Sequence, residues 1–226
     1  MKNICLYYGW ETCARVTMTA LEQIGLPFTV KRLDLSKLEQ RSPEYLAINP
    51  NAEVPALLFD GHILTQNAAI LHYLNATFPA AGLLPPAGGL VKLNEPLQDL
   101  MWCSATLHIY RRMVLNPGRM TVAGVENVRL KGLEGWHNQL PRIEKRLGER
   151  QWWYGDTWSV VDVYLNWAFS GLMAEKLNIP GRPAIADHEK RLNQHPAYIR
   201  ALARERGGDA AVPSDFTRFF PPGPAS

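Results

Sequence analysis

The chain has 226 residues, enough for one large domain or two small ones with a sizeable core. With 46% hydrophobic and 20% charged residues it reads as a globular chain, not a disordered or fibrous one. A net charge of +3 without any long block of like charges gives no case for a nucleic-acid partner and suits small anionic ligands.

The segment Met1-Lys2-Asn3-Ile4-Cys5-Leu6-Tyr7-Tyr8 is too short in apolar residues for a secretory signal, and no stretch reaches the roughly 18 apolar residues of a membrane helix. No membrane partner is therefore expected. Residues 4–8 read as a buried strand. Residues 13–25 read as a helix whose stripe is Val16, Ala20, Leu21 and Ile24, stopped by Gly25 and Pro27. A second strand follows over 28–33 and a short helix over 42–48. Residues 55–59 and 62–65 form a hairpin about Asp60-Gly61, and a third helix runs over 66–78 with Ile70, Leu74 and Phe78 on one face. This order implies a small sheet covered by helices.

Residues 80–89 are rich in Pro, Gly and Ala and read as a linker. Beyond it the strand signals stop, and helices are expected over 91–115, 122–148, 159–177, 184–194 and 196–206. Ser159 is expected to cap its helix, with Asp162 reaching back in a capping box. The expected domains are thus 1–79, a linker 80–89, an all-helical domain 90–206 and a Gly/Pro-rich tail 207–226 in which Phe216, Phe219 and Phe220 are candidate anchors.

The cysteines are Cys5, Cys13 and Cys103, with no Cys-x-x-Cys pair. Neither a disulfide framework nor a zinc site is expected, and a reducing cytoplasm is the simplest setting. Cys13 falls at a predicted helix start, where unpaired N–H groups favour a thiolate; the alternative is a small apolar residue on the helix face. Val54-Pro55 pairs an extended residue with one that lacks an N–H. Gln66 and Asn67 open a helix, where N–H groups and side-chain amides attract a carboxylate, or where Thr65 or Asn67 simply caps. His108 lies on a helix and is either structural or a hydrogen-bonding group for a substrate. Trp102, His108 and Tyr110 line an apolar pocket or the domain core.

The segment from Asn49-Pro50-Asn51-Ala52-Glu53-Val54-Pro55-Ala56-Leu57 to Leu64-Thr65-Gln66-Asn67-Ala68-Ala69-Ile70-Leu71-His72-Tyr73-Leu74 resembles the glutathione-site core of the soluble glutathione transferases. Gly155-Asp156-Thr157-Trp158-Ser159-Val160-Val161-Asp162 is similar to that family's helix-capping segment, and Arg191-Leu192-Asn193-Gln194-His195-Pro196 to its closing helices. Tyr7-Tyr8-Gly9-Trp10-Glu11-Thr12-Cys13, with Leu107-His108-Ile109-Tyr110, looks most like the bacterial beta class. The resemblance spans residues 4–206 and implies a thioredoxin-like α/β N-terminal domain plus an all-α C-terminal domain, the glutathione transferase fold.

The resemblance also implies site residues. A cis Val54-Pro55 bond would present Val54's backbone to the cysteinyl part of glutathione. Gln66 and Asn67 would bind its γ-glutamyl end, and Lys37 its glycyl carboxylate. Cys13 would act at the sulfur, with Thr12 and Tyr8 as rival donors, and His108 would complete the catalytic set. Asn67 departs from the usual Ser or Thr. Glu53 departs from the usual neutral residue and is expected to repel the glycyl carboxylate. The implied protein is a cytoplasmic homodimer that uses glutathione as co-substrate to conjugate small apolar electrophiles. Its rivals are a Cys13-based thiol transferase and a non-catalytic ligand-binding protein of the same fold.

Overall fold

The computed structural model describes residues 3–86, 94–174 and 182–208. The chain divides into two compact units, Met1–Ala81 with His195–Ser226, and Gly82–Gln194. Expectations for residues 87–93, 175–181 and 209–226, including Phe216, Phe219 and Phe220, lie outside the described residues.

The first unit is built on a four-stranded sheet of order β2-β1-β3-β4. Strand β1 (Ile4–Gly9) is buried along its whole length, as its central place requires. β2 (Thr29–Leu33) lies parallel to it, while β3 (Ala56–Phe59) pairs antiparallel on its other side, so Leu6 faces Val30 and Leu57. A parallel pair needs a crossover, and helix α1 (Ala14–Ile24) supplies it. Gly25, at φ 77°, ends α1 and returns its N–H to the Leu21 carbonyl, as its position in the sequence predicts. Edge strand β4 (His62–Thr65) follows the two-residue turn Asp60-Gly61. Both turn residues have positive φ, 51° and 86°, the geometry that favours Asp-Gly in a tight hairpin. The short helix α2 (Pro43–Leu46) is capped by Ser42, and α3 (Asn67–Thr77) buries Ile70, Leu71 and Leu74.

In the second unit, α4 (Glu95–Trp102) runs through a π-helical turn (Cys103–Leu107) into α5 (His108–Leu115). Helices α6 (Val125–Glu149), α7 (Val160–Ala174) and α8 (Pro183–Leu192) complete it. Asp162 is fully buried and accepts from the Ser159 N–H at 2.9 Å and the Trp153 N–H at 2.8 Å, with His188 Nε2 2.9 Å away. The expected capping box is half realised. Ser159's hydroxyl donates to Asp162 at 2.8 Å instead of accepting from the helix, because the carboxylate is the stronger acceptor within reach. Asp99 is a second buried acceptor, for Trp153 Nε1 at 2.7 Å and the Tyr154 hydroxyl at 2.9 Å.

The last helix, α9 (Pro196–Gly207), differs from the sequence expectation. Periodicity groups it with the helical domain, but it belongs to the first unit and packs on α1. Charge explains the attachment. The buried Glu22 of α1 takes Arg204 at 2.7 Å and Arg200 at 3.0 Å, and Arg15 meets Glu205 at 2.8 Å. Arg204 also stacks 4.2 Å from the Phe28 ring. A buried charge is tolerated only when paired and hydrogen-bonded, so each helix requires the other.

Removing Glu22 takes away the carboxylate that the guanidinium of Arg204, 3% exposed, meets at 2.7 Å. Glu22→Ala is expected to lower unfolding free energy by about 3 kcal/mol, read as a reduced urea midpoint at unchanged slope. A loss below about 1 kcal/mol would show that the ion pairs do not hold α9 in place.

Candidate functional site

The end of β1 feeds directly into the candidate thiol. A Cβ on Gly9 would lie 2.7 Å from Leu35 Cδ1 and 2.9 Å from its Cγ, so a side chain there would have to displace Leu35. The loop then returns on itself, with the Thr12 hydroxyl donating to the Gly9 carbonyl at 2.9 Å. Glu11 sits at φ 55°, and its N–H donates to Glu205 Oε1 at 2.9 Å. Tyr8's hydroxyl donates to the Glu205 carbonyl at 3.1 Å and is buried. Of the two rival hydroxyls, Tyr8 therefore gives its one proton to α9, and Thr12 gives its proton to the loop.

Cys13 occupies the N-cap position of α1 and is 6% exposed. Its thiol lies 3.8 Å from the Val54 carbonyl oxygen. The Val54–Pro55 peptide is cis, as the resemblance implies. The segment leading to it is fixed by side chains. The carbonyl of Glu53 accepts from the Tyr45 hydroxyl at 2.6 Å and from Asn49 Nδ2 at 2.7 Å. Burial is the main cause that pushes the Tyr45 hydroxyl pKa up to about 12, which keeps it a donor.

Gln66 is exposed at the α3 N-cap with φ 66°, an unusual value for a residue with a side chain. Its Nε2 donates to Glu53 Oε2 at 3.2 Å. Asn67 corrects the sequence expectation. Its side chain faces inward, giving Nδ2 to the Cys13 carbonyl at 3.0 Å and accepting from the Thr17 hydroxyl at 2.5 Å. An amide spans both partners where a hydroxyl cannot, so Asn67 ties α3 to the start of α1, and only its backbone N–H remains at the helix entrance. Lys37 ends a 3-10 turn, is 75% exposed in its side chain and pairs with Asp34 at 3.6 Å.

Cys13, Val54, Pro55, Gln66 and Asn67 are therefore assembled within the first unit, while His108 belongs to the second. His108 opens α5 just after the π turn, with its ring edge-on to Trp167 at 4.7 Å. Burial first, then the charges of Arg112 and Arg111, lowers its pKa to about 4, so the imidazole is neutral at pH 7. Arg111 stacks 4.4 Å from the same Trp167 ring. Trp102 stacks on Trp153 at 5.4 Å and donates to Gln139 at 3.1 Å, and Tyr110 packs against Gly135. A groove of about 530 Å³ in this unit is lined by Asp156, Asp187 and Arg191 and contains none of these aromatic residues. The sequence reading missed Glu205, Tyr45 and Asn49. Asn49 stands inside the quoted motif, but Glu205 acts 194 positions from Glu11 and leaves no local signal.

The sheet order, the cis-proline edge and the helix start beside it define a thioredoxin-like domain with a companion helical unit. The sequence matches the glutathione S-transferase N-terminal domain over residues 4–76 and the C-terminal domain over residues 102–196. Together with a relative 31% identical, 74% of whose length is matched, this shows that the chain belongs to the glutathione S-transferase family. That relative is the maleylacetoacetate isomerase of Pseudomonas aeruginosa, matched over 65% of this chain. Glutathione S-transferase GstA of Escherichia coli O157:H7 is 27% identical, covering 88% of this chain and 98% of its own. A glutathione transferase homolog from Sulfitobacter, solved with bound glutathione, superposes with a TM-score of 0.79 at 25% identity, covering 89% of this chain and 98% of its own. The beta-class transferase of Sphingomonas chungbukensis gives 0.76 at 25% identity over the same shares.

The depressed His108 pKa predicts a sign for stability against pH. The unfolded imidazole binds a proton below its ordinary pKa of 6.5, but the folded one does not until about 4. Stability from this group is thus complete above the upper value and is lost as pH falls through that window. The loss is on the order of 3 kcal/mol, and His108→Gln should remove that part of the slope in urea titrations at several pH values.

Proposed function

We propose that this protein conjugates glutathione to small apolar electrophiles. The observation that carries the reading is the convergence of the Cys13 thiol, the Val54–Pro55 edge and the start of α3, with Cys13 Sγ 3.8 Å from the Val54 carbonyl. An extended tripeptide laid along Val54 pairs its backbone there and brings its thiol beside the first N–H groups of α1. Those N–H groups carry partial positive charge and favour a thiolate. Lys37 reaches for the glycyl carboxylate, and Gln66 with the backbone of Asn67 meets the γ-glutamyl end. The second unit carries neutral His108, a hydrogen-bonding group for the electrophile. Holding thiolate and electrophile together accelerates the addition.

A second reading is favoured by Cys13 itself. A cysteine at a helix start is the usual nucleophile of a thiol transferase, in which the Cys13 thiolate attacks the glutathione sulfur of a mixed disulfide and expels the other thiolate, and a second glutathione thiolate then frees Cys13 and leaves as oxidised glutathione. We further propose a homodimer in the cytoplasm with a role in detoxification. Ile63 and Tyr73 are 39% and 37% exposed on the first unit, apolar surface that a second copy would cover. The relative named maleylacetoacetate isomerase adds that compound to the electrophiles worth assaying.

Immobilised glutathione should retain the protein and free glutathione should elute it. Cys13→Ala should abolish reduction of mixed disulfides yet lower conjugation by only about tenfold, the worth of one hydrogen bond to the thiolate. Cys13→Ser should restore the conjugation alone. Cys103 is fully buried and its pKa is raised by that burial, so it should be the last thiol alkylated. No conjugation by the wild type, with glutathione binding and Cys13-dependent disulfide reduction retained, would make the thiol-transfer reading the correct one.

A further inference from the structure

We propose that Glu53 is a specificity-determining residue that recognises the α-ammonium group of the γ-glutamyl end of glutathione. The inference rests on the glutathione-binding reading above.

Glu53 is exposed one residue before the Val54–Pro55 edge. Its carboxylate turns towards α3, where Oε2 accepts from Gln66 Nε2 at 3.2 Å. It does not turn towards Lys37, which pairs with Asp34. Among the described residues the Glu53 carboxylate forms no ion pair and takes only this neutral amide. Its place is nevertheless held firmly. Tyr45 and Asn49 both donate to the Glu53 carbonyl, and Gln66 is set by a backbone that few residues with side chains adopt.

A fixed negative charge at this rim opposes any simple anion. Glutathione carries two carboxylates and one cation, and that cation is the α-ammonium of its γ-glutamyl residue. Beside the ammonium stands the α-carboxylate, which the backbone N–H groups opening α3 can take. A carboxylate next to a helix start is thus complementary to a head group that bears both charges, and to one orientation of it. The Gln66 amide oxygen offers a second acceptor to the same ammonium. Glu53 turns what would be repulsion into a selection for a free α-amine.

The test uses the whole protein and two ligands, glutathione and glutaryl-cysteinyl-glycine, which lacks only that amine. Calorimetry on the wild type should show glutathione preferred by about fivefold, the scale of a partly exposed ion pair. The preference should shrink with added salt. In Glu53→Gln the ratio should fall close to one, mainly through weaker glutathione binding. Combining Glu53→Gln with Gln66→Glu returns a carboxylate to the other side of the same hydrogen bond and should restore the preference. Tighter glutathione binding by Glu53→Gln, or an unchanged ratio between the ligands, would overturn the assignment while leaving the glutathione reading intact. Failure of the wild type to bind either ligand would instead sink the glutathione reading, and this inference with it.

Discussion

The buried ion pairs between α1 and α9 are the constraint on which the candidate site depends. Glu22 and Glu205 are both almost fully enclosed, and neither can be buried without its arginines. Their consequence is local geometry. While Glu205 holds Arg15, its other carboxylate oxygen takes the N–H of Glu11, and its backbone carbonyl takes the Tyr8 hydroxyl. The loop from Gly9 to Cys13 is therefore fastened at both of its ends by one residue of the last helix. Loops of this size are ordinarily mobile, and a thiol borne on one would be poorly placed. Here the thiol lies 3.8 Å from the Val54 carbonyl on a loop whose flanks are tied to Glu205.

The second unit uses the same device with different partners. Asp162 gathers the start of α7, the Trp153 backbone and His188, and Asp99 gathers Trp153 and Tyr154 from α4. Trp153 is thus held by two carboxylates at once, through its backbone N–H and its indole N–H. Arg142 and Arg146 lie over Trp102 and Trp153, so the positive charge that answers these carboxylates is spread across aromatic faces. The continuous helix of α4 and α5 is set on this frame, and the π turn within it places His108 against Trp167. Such turns recur at functional sites because they redirect the side chains that follow. Neutral His108 beside two arginines fits a group that accepts or donates a hydrogen bond without carrying charge.

What the sequence revealed was mostly what is decided within a few residues. Asp60-Gly61, Gly25 and the Ser159–Asp162 pair each answer a local backbone demand, and each stands where the pattern puts it. The Val54-Pro55 edge was legible through resemblance, since nothing in the two residues alone separates cis from trans. Long-range satisfaction was not legible. Periodicity identifies α9 as a helix but says nothing of which helix it packs against. That depends on charges 178 to 190 positions away. Asn67 shows the same limit across 50 to 54 positions. Its amide was as able to meet a ligand as to bridge Cys13 and Thr17, and only the approach of α1 decides between them.

This division bears on how the family keeps its fold at identities near 25%. Much of the candidate glutathione edge is backbone: the Val54 peptide group, the N–H groups opening α3 and those opening α1. Backbone groups survive substitution provided the conformation does, and the conformation is held by a few buried or part-buried hydrogen bonds to Glu53, Cys13 and Glu11. Side chains at the rim are then free to change. Glu53 and Gln66 are of this kind, exposed and, among the described residues, joined to each other by their side chains. On the proposed reading, the shared chemistry lies in the backbone, and preference among ligands lies in such exposed pairs. On that reading, altering them falls on affinity for one head group and leaves stability nearly untouched.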